Sequence, residues 1–234
     1  MLANNPDKPT QLHLAFPPHT ALGRDDFLIG ESNRAAFSLV ADWPDWPDPL
    51  QLIVGPMGSG KSHLVEIWAE ASNAYIARDR FMVSDVLRAM DEGQPVALEF
   101  GEMRTIDERA VFHILNKARL ARSNLLLTAR GDWAQWNDRL PDLVSRVRAI
   151  SPIVLGAPDE DLLKKVMVKL FADRQTHIDM AVLDYALLRL ERSFEAANLF
   201  VIACDEIALQ SARKISKHVA ADALYAVESR LPQK

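Results

Sequence analysis

The sequence predicts an α/β protein: a base domain with a parallel sheet flanked by helices, followed by a small all-helical domain. Three observations predict it. Short, continuously apolar segments alternate with amphipathic ones as far as residue 155, and such strands fit a parallel sheet buried on both faces. A glycine-rich octapeptide joins the first of these strands to the helix after it. Beyond residue 156 the strand pattern is gone, and the remaining segments repeat with helical period.

Residues 1–10 are polar and broken by proline, the composition of a disordered end. QLHLAF at 11–16 then sets apolar side chains in an otherwise loose stretch, ahead of Pro17 and Pro18. ESNRAAFSLVADW at 31–43 reads as a helix with Ser32 or Asn33 as N-cap. WPDWPDP at 43–49 cannot continue it, because each proline lacks a backbone donor, and it reads as a loop. Strands follow at 50–55, 74–77, 95–100 and 124–130, separated by helices from Lys61 to about Ala71, at 81–90 and at 106–122. A fifth strand at 149–155 comes after the segment RLPDLVSRV. Helical segments then cover 159–174, 179–190, 193–212 and 219–230. The expected organisation is a flexible segment 1–24, a base domain 25–156 and a helical lid domain 157–234.

Composition narrows the class. A chain of 234 residues buries roughly 70% of its unfolded surface and needs no staples. Its 49% apolar and 25% charged residues are those of an ordinary soluble protein. No apolar run approaches the ~20 residues of a membrane span, and no basic-then-apolar leader opens the sequence, so a cytoplasmic protein without membrane contact is expected. The lone Cys204 cannot form an internal disulfide, and no Cys/His cluster suggests zinc. A net charge of −5 argues against a protein built mainly to bind DNA, which draws on many Lys and Arg at phosphates.

The strongest chemical signal is Gly55, Pro56, Met57, Gly58, Ser59, Gly60, Lys61 and Ser62, a complete GxxxxGK[ST] between strand and helix. The glycines let the chain turn sharply, so that successive N–H groups face one anionic centre, and the helix opening at Lys61 adds its positive end. Lys61 supplies a cation for terminal phosphates and Ser62 a hydroxyl for Mg²⁺. The motif therefore predicts a bound nucleotide, ADP or ATP. Such a loop needs an acid on a neighbouring buried strand to hold the metal. Glu99 is the candidate, with Glu102 just beyond, but it is followed by Phe100 rather than a second acid. Metal-assisted binding is expected and fast hydrolysis is not. Thr128 ends the fourth strand, beside the expected phosphates; Arg146 precedes the fifth and can project towards a neighbour's nucleotide; Arg192 begins a helix of the second domain and can reach back to the γ-phosphate.

In this order along the chain, QLHLAF, GRDDFLIGESNRAAF, GPMGSGKSHL, RLPDLVSRV and RLERSFEAA resemble the AAA+ ATPases, and among them the DnaA-related regulators of the Hda (HdaA) family. The resemblance runs from about Gln11 to Leu231. It implies an AAA+ base domain with a helical lid, and it places Gly55 to Ser62 at the phosphates, Glu99 at the metal-site acid, Thr128 at sensor 1, Arg146 at the arginine finger and Arg192 at sensor 2. Leu28, Ile29 and Gly30 fall where the family shapes its adenine pocket. Gln11, Leu12, Leu14 and Phe16 are similar to the short peptides that dock on the DNA polymerase sliding clamp (its beta subunit). The pattern by itself allows equally that this segment packs on the base domain. Without DnaA's DNA-reading domain, the core is expected to make no direct sequence-specific contact with DNA.

The function implied is an adaptor, ADP-bound if it behaves as its relatives do, that sits on the clamp and promotes hydrolysis of DnaA-bound ATP. Rival readings are a binder that sequesters DnaA without catalytic help, and an autonomous ATPase of the helicase-loader kind. Whether the protein forms a homodimer is left open. Trp43, Trp46, Trp133 and Trp136 are expected to pack under loops, His113 to sit in core or groove, and Arg213, Lys214 and Lys217 to form a solvated basic face.

Overall fold

The computed structural model describes residues 23–78, 81–100, 107–130, 141–211 and 214–230. Five strands, β1 (Leu50–Val54), β2 (Tyr75–Arg78), β3 (Val96–Glu99), β4 (Leu125–Ala129) and β5 (Pro152–Val154), form one sheet in the order β2-β3-β4-β1-β5. Every pairing is parallel. Strand alternation sends side chains to two faces. Leu52, Leu98 and Leu127 pack under α3 (Val83–Asp91), α4 (Glu108–Ala121) and α5 (Pro141–Arg148). Ile53, Ala97 and Leu126 pack under α1 (Arg34–Ala41) and α2 (Lys61–Ser72), where Trp68 is fully buried.

Among the described residues the remaining α-helices are α6 (Glu160–Asp173), α7 (Met180–Leu187), α8 (Phe194–Ser211) and α9 (Lys217–Arg230). They enclose a separate apolar core in which the rings of Phe171 and Phe200 meet edge to face at 6.4 Å. Carboxylate caps start several helices: Asp107 accepts from the amides of Arg109 and Ala110, Asp159 from Leu162, and Asp179 from Ala181.

Three local differences from the sequence reading have physical causes. Asn33 does precede α1, but its side chain turns back, accepting from Gly30 N at 2.8 Å and donating to Leu28 O at 2.9 Å. It straps the 28–30 loop instead of capping the helix. Residues within RLPDLVSRV form α5, whose Leu143, Val144 and Val147 are buried; Pro141 at its first position needs no amide partner there. Helix α8 begins at Phe194 because Ser193 Oγ accepts from Ala196 N at 3.0 Å, which leaves Arg192 outside it.

Candidate functional site

Ligands of open parallel sheets bind beyond the carboxyl ends of the strands, and the sheet register assembles the site there. Arg78 lies beside Glu99, Glu99 beside Thr128, and Thr128 beside Ile53. One cross-strand row therefore carries a cation, a carboxylate and a hydroxyl on a single face. Two residues past Ile53 the chain enters the glycine-rich loop, where Gly58 and Gly60 adopt φ of +71° and +92°, the left-handed region that side chains resist. These turns bring the loop around a cavity of about 490 Å³ lined by Met57, Gly58, Ser59, Gly60, Lys61, Ser62, His63, Arg78, Glu99, Phe100, Thr128 and Arg130.

Lys61 folds back over its own loop, donating from Nζ to Gly55 O at 2.8 Å, Pro56 O at 2.7 Å and Ser59 Oγ at 3.3 Å. Burial, reinforced by the Arg130 guanidinium and opposed by Glu99, lowers its pKa to about 8. All three of these acceptors are neutral, so the ammonium gains by meeting an anion. Gly55 completes the frame: a Cβ there would lie 2.8 Å from Leu155 Cβ and 2.8 Å from Ser59 Oγ.

A second cavity, of about 130 Å³, shares Gly58, Ser59, Gly60 and His63 with the first and extends between the two cores. Phe27, Leu28 and Phe194 supply apolar walls, and Val166 and Leu170 enter from α6. Phe27 stacks on Phe37 at 5.5 Å and meets His63 edge-on at 5.1 Å. Lys169 of α6 bridges Asp26 at 3.3 Å and Asp173 at 2.8 Å, so one cation links the base to the helical part at the cavity wall. The crevice formed by both cavities offers an apolar slot for a flat ring and a cationic cup for an anion.

The residues expected at the phosphates thus come together: Gly55 and Pro56 anchor Lys61, while 57–62, Glu99 and Thr128 line the larger cavity. Leu28 lines the smaller one. Ile29 is 42% exposed and lines neither. Gly30 lies against α6, where a Cβ would meet Leu162 Cδ2 at 2.7 Å. Arg146 stands on α5 with its guanidinium over the Phe112 ring at 4.9 Å, and lines neither cavity. Arg192 pairs with Glu160 at 3.1 Å, also outside both. Gln11, Leu12, Leu14, Phe16, Glu102, Trp133, Trp136 and Arg213 lie outside the described residues. His113 is exposed on α4, contrary to the core or groove position expected, because the buried stripe of that helix runs through Ala110, Val111, Ile114, Leu115 and Ala118. Trp46 stacks on Trp68 at 5.0 Å and donates to Leu39 O at 2.7 Å.

The sequence reading missed Arg78, Arg130, Lys169 and Asp26. Arg78 and Arg130 each sit at or just past a strand's carboxyl end, the position that should have drawn attention to them. A divalent cation fits the larger cavity in part. Glu99 Oε1 is buried without a hydrogen-bond partner among the described residues, and Ser62 opens onto the same space. Glu99 Oε2, however, is held by Arg78, and Phe100 supplies no second carboxylate.

No protein-family model and no curated protein matches the chain. Solved structures do. Domain III of the replication initiation protein DnaA from Thermotoga maritima has a TM-score of 0.72 at 16% identity, over 91% of this chain and 99% of that one. The RuvB Holliday junction branch migration motor of Thermotoga maritima has a TM-score of 0.66 at 15% identity, over 88% of this chain and 72% of that one. AMPPCP-bound DnaA from Aquifex aeolicus has a TM-score of 0.59 at 18% identity, over 82% of this chain and 65% of that one. At these identities the likeness is one of fold: the chain has the α/β fold of AAA+ ATPase domains, with its parallel five-stranded sheet flanked by helices.

Proposed function

We propose that this protein is a nucleotide-bound AAA+ adaptor that docks on the DNA polymerase sliding clamp through residues 11–16 and promotes hydrolysis of ATP held by DnaA. The observation that carries the nucleotide part is the cationic cup around the glycine-rich loop, contiguous with an apolar slot. ADP or ATP places its phosphates in the first and its base in the second. Nucleotide binding in the structural neighbour with AMPPCP supports the same assignment. Ser62 and Glu99 are the residues that would hold Mg²⁺, which would offset phosphate charge, although Arg78 already holds one oxygen of Glu99. Phe100 cannot orient an attacking water, so the site retains its nucleotide and turns it over slowly.

Arg146 lines neither cavity of its own chain, and an arginine that acts on a partner's phosphoryl group has to face away from its own site. Arginine fingers contribute about 10³–10⁵-fold to hydrolysis. In single-turnover assays of DnaA-bound ATP with the clamp present, Arg146→Ala is expected to abolish stimulation while leaving clamp binding intact. Normal stimulation by that variant refutes the role of Arg146. A clamp pull-down of the Gln11→Ala, Leu12→Ala double variant tests the docking segment, and undiminished capture refutes it.

A second reading, sequestration of DnaA without catalytic help, is favoured by one contact. The stacking of Arg146 on Phe112 has to break before the guanidinium can reach another subunit. In that case hydrolysis of DnaA-bound ATP is unchanged by the protein, with or without the clamp.

A further inference from the structure

Glu99 is the one carboxylate among the described residues lining the larger cavity, and its side chain is only 11% exposed. Its Oε1 has no hydrogen-bond partner among the described residues, but its Oε2 is engaged. Arg78 Nε donates to Oε2 of Glu99, and the same guanidinium donates through a second nitrogen to Glu66 Oε1 on α2. Register explains why the two meet: Arg78 and Glu99 are paired neighbours at the ends of β2 and β3, on the same face. A planar guanidinium held at two points loses less freedom in making this contact than a lysine ammonium would. Lys61 and Arg130 line the same cavity. Three cationic side chains therefore surround a space that holds a single carboxylate, already half neutralised.

We propose that Arg78 takes the place of the divalent cation at Glu99 and makes nucleotide diphosphate binding here independent of Mg²⁺. A metal in such a site offsets phosphate repulsion and bridges phosphate to protein; fixed guanidinium and ammonium groups perform the first task, leaving the second dispensable for a bound product. Removing Arg78 releases Oε2 and leaves both oxygens of Glu99 without a partner among the described residues, so the cavity then draws a metal to offset that charge. The inference rests on the nucleotide reading of this cavity.

The test is calorimetric titration of ADP into the wild type and Arg78→Met, in EDTA and in Mg²⁺. Wild-type affinity is expected to change by less than about threefold between the two conditions. Arg78→Met should bind at least about tenfold more tightly with Mg²⁺ than without, the size of one charge-assisted contact. A tenfold loss of wild-type affinity in EDTA overturns the proposal, as does metal-independent binding by Arg78→Met. Absence of ADP binding in every condition is a different result, which removes the nucleotide reading itself and this inference with it. Manganese binding to the nucleotide-free proteins, followed by electron paramagnetic resonance, gives a separate reading. Mn²⁺ should bind Arg78→Met and not the wild type, a difference that a merely structural Arg78 would not produce. Arg78→Lys should fall between them, because it keeps the charge and loses the fork.

Discussion

Lys61 shows how position changes the chemistry of an ordinary residue. Its ammonium is desolvated and faces Arg130, so it gives up its proton near pH 8. Phosphate binding requires the charged form. Affinity for ADP is therefore expected to fall above pH 8, by up to about tenfold per pH unit, with proton uptake on binding. Titration calorimetry in buffers of different ionisation enthalpy measures this directly, and Lys61→Met should flatten the profile and weaken binding throughout. Cys204 is the opposite case. Burial, with Asp205 adding to it, pushes its thiol up to about 12, so no thiolate is available at neutral pH. It should resist Ellman's reagent at pH 8 in the native protein and react fully once the chain is unfolded. The motif residues were legible because glycine, lysine and serine at that spacing serve few other ends. Arg78 was not, since only the pairing of β2 with β3 sets it against Glu99.

At the scale of elements, the glycine-rich loop and α8 constrain each other. A Cβ on Gly58 would stand 3.0 Å from the backbone nitrogen of Glu195, and its φ of +71° already disfavours any side chain. Gly58→Ala should cost about 1–2 kcal/mol from the backbone conformation alone. It should also lower ADP affinity markedly, because α8 must retreat and open the slot beside Phe194; melting curves and ADP titration of the variant separate the two effects. Asp159→Ala, which removes the cap of α6, should cost about 1 kcal/mol with little effect on the sheet. The strands and most helices were readable from periodicity, since continuous apolar runs and a 3.6-residue repeat record burial on two faces or one. Helix α5 was not, because eight residues opening at a proline carry too little repeat to distinguish helix from loop.

In the whole molecule, base and helical part meet over the smaller cavity, and Lys169 is the charge that joins them. Without it, Asp26 and Asp173 face each other uncompensated. Lys169→Met should weaken ADP binding by about threefold, a modest effect because the pair is partly solvated and screened. Asp26→Asn added to that variant should recover part of the loss, and the same titration reads both. Among the described residues no helix is long and apolar enough to cross a membrane.

By itself the sequence determined the alternation of strands and helices, the glycine-rich turn, the change to helices beyond 156 and the acid at the end of the third strand. Each of these is written in local spacing, where burial and backbone freedom restrict which residue follows which. Only the tertiary structure decided that Arg78 closes on Glu99, that Lys169 reaches Asp26, and that Arg146 and Arg192 stand outside the cavities. Those contacts join residues far apart in the chain. They depend on strand order and on the docking of two cores, and neither leaves a periodic mark in the sequence.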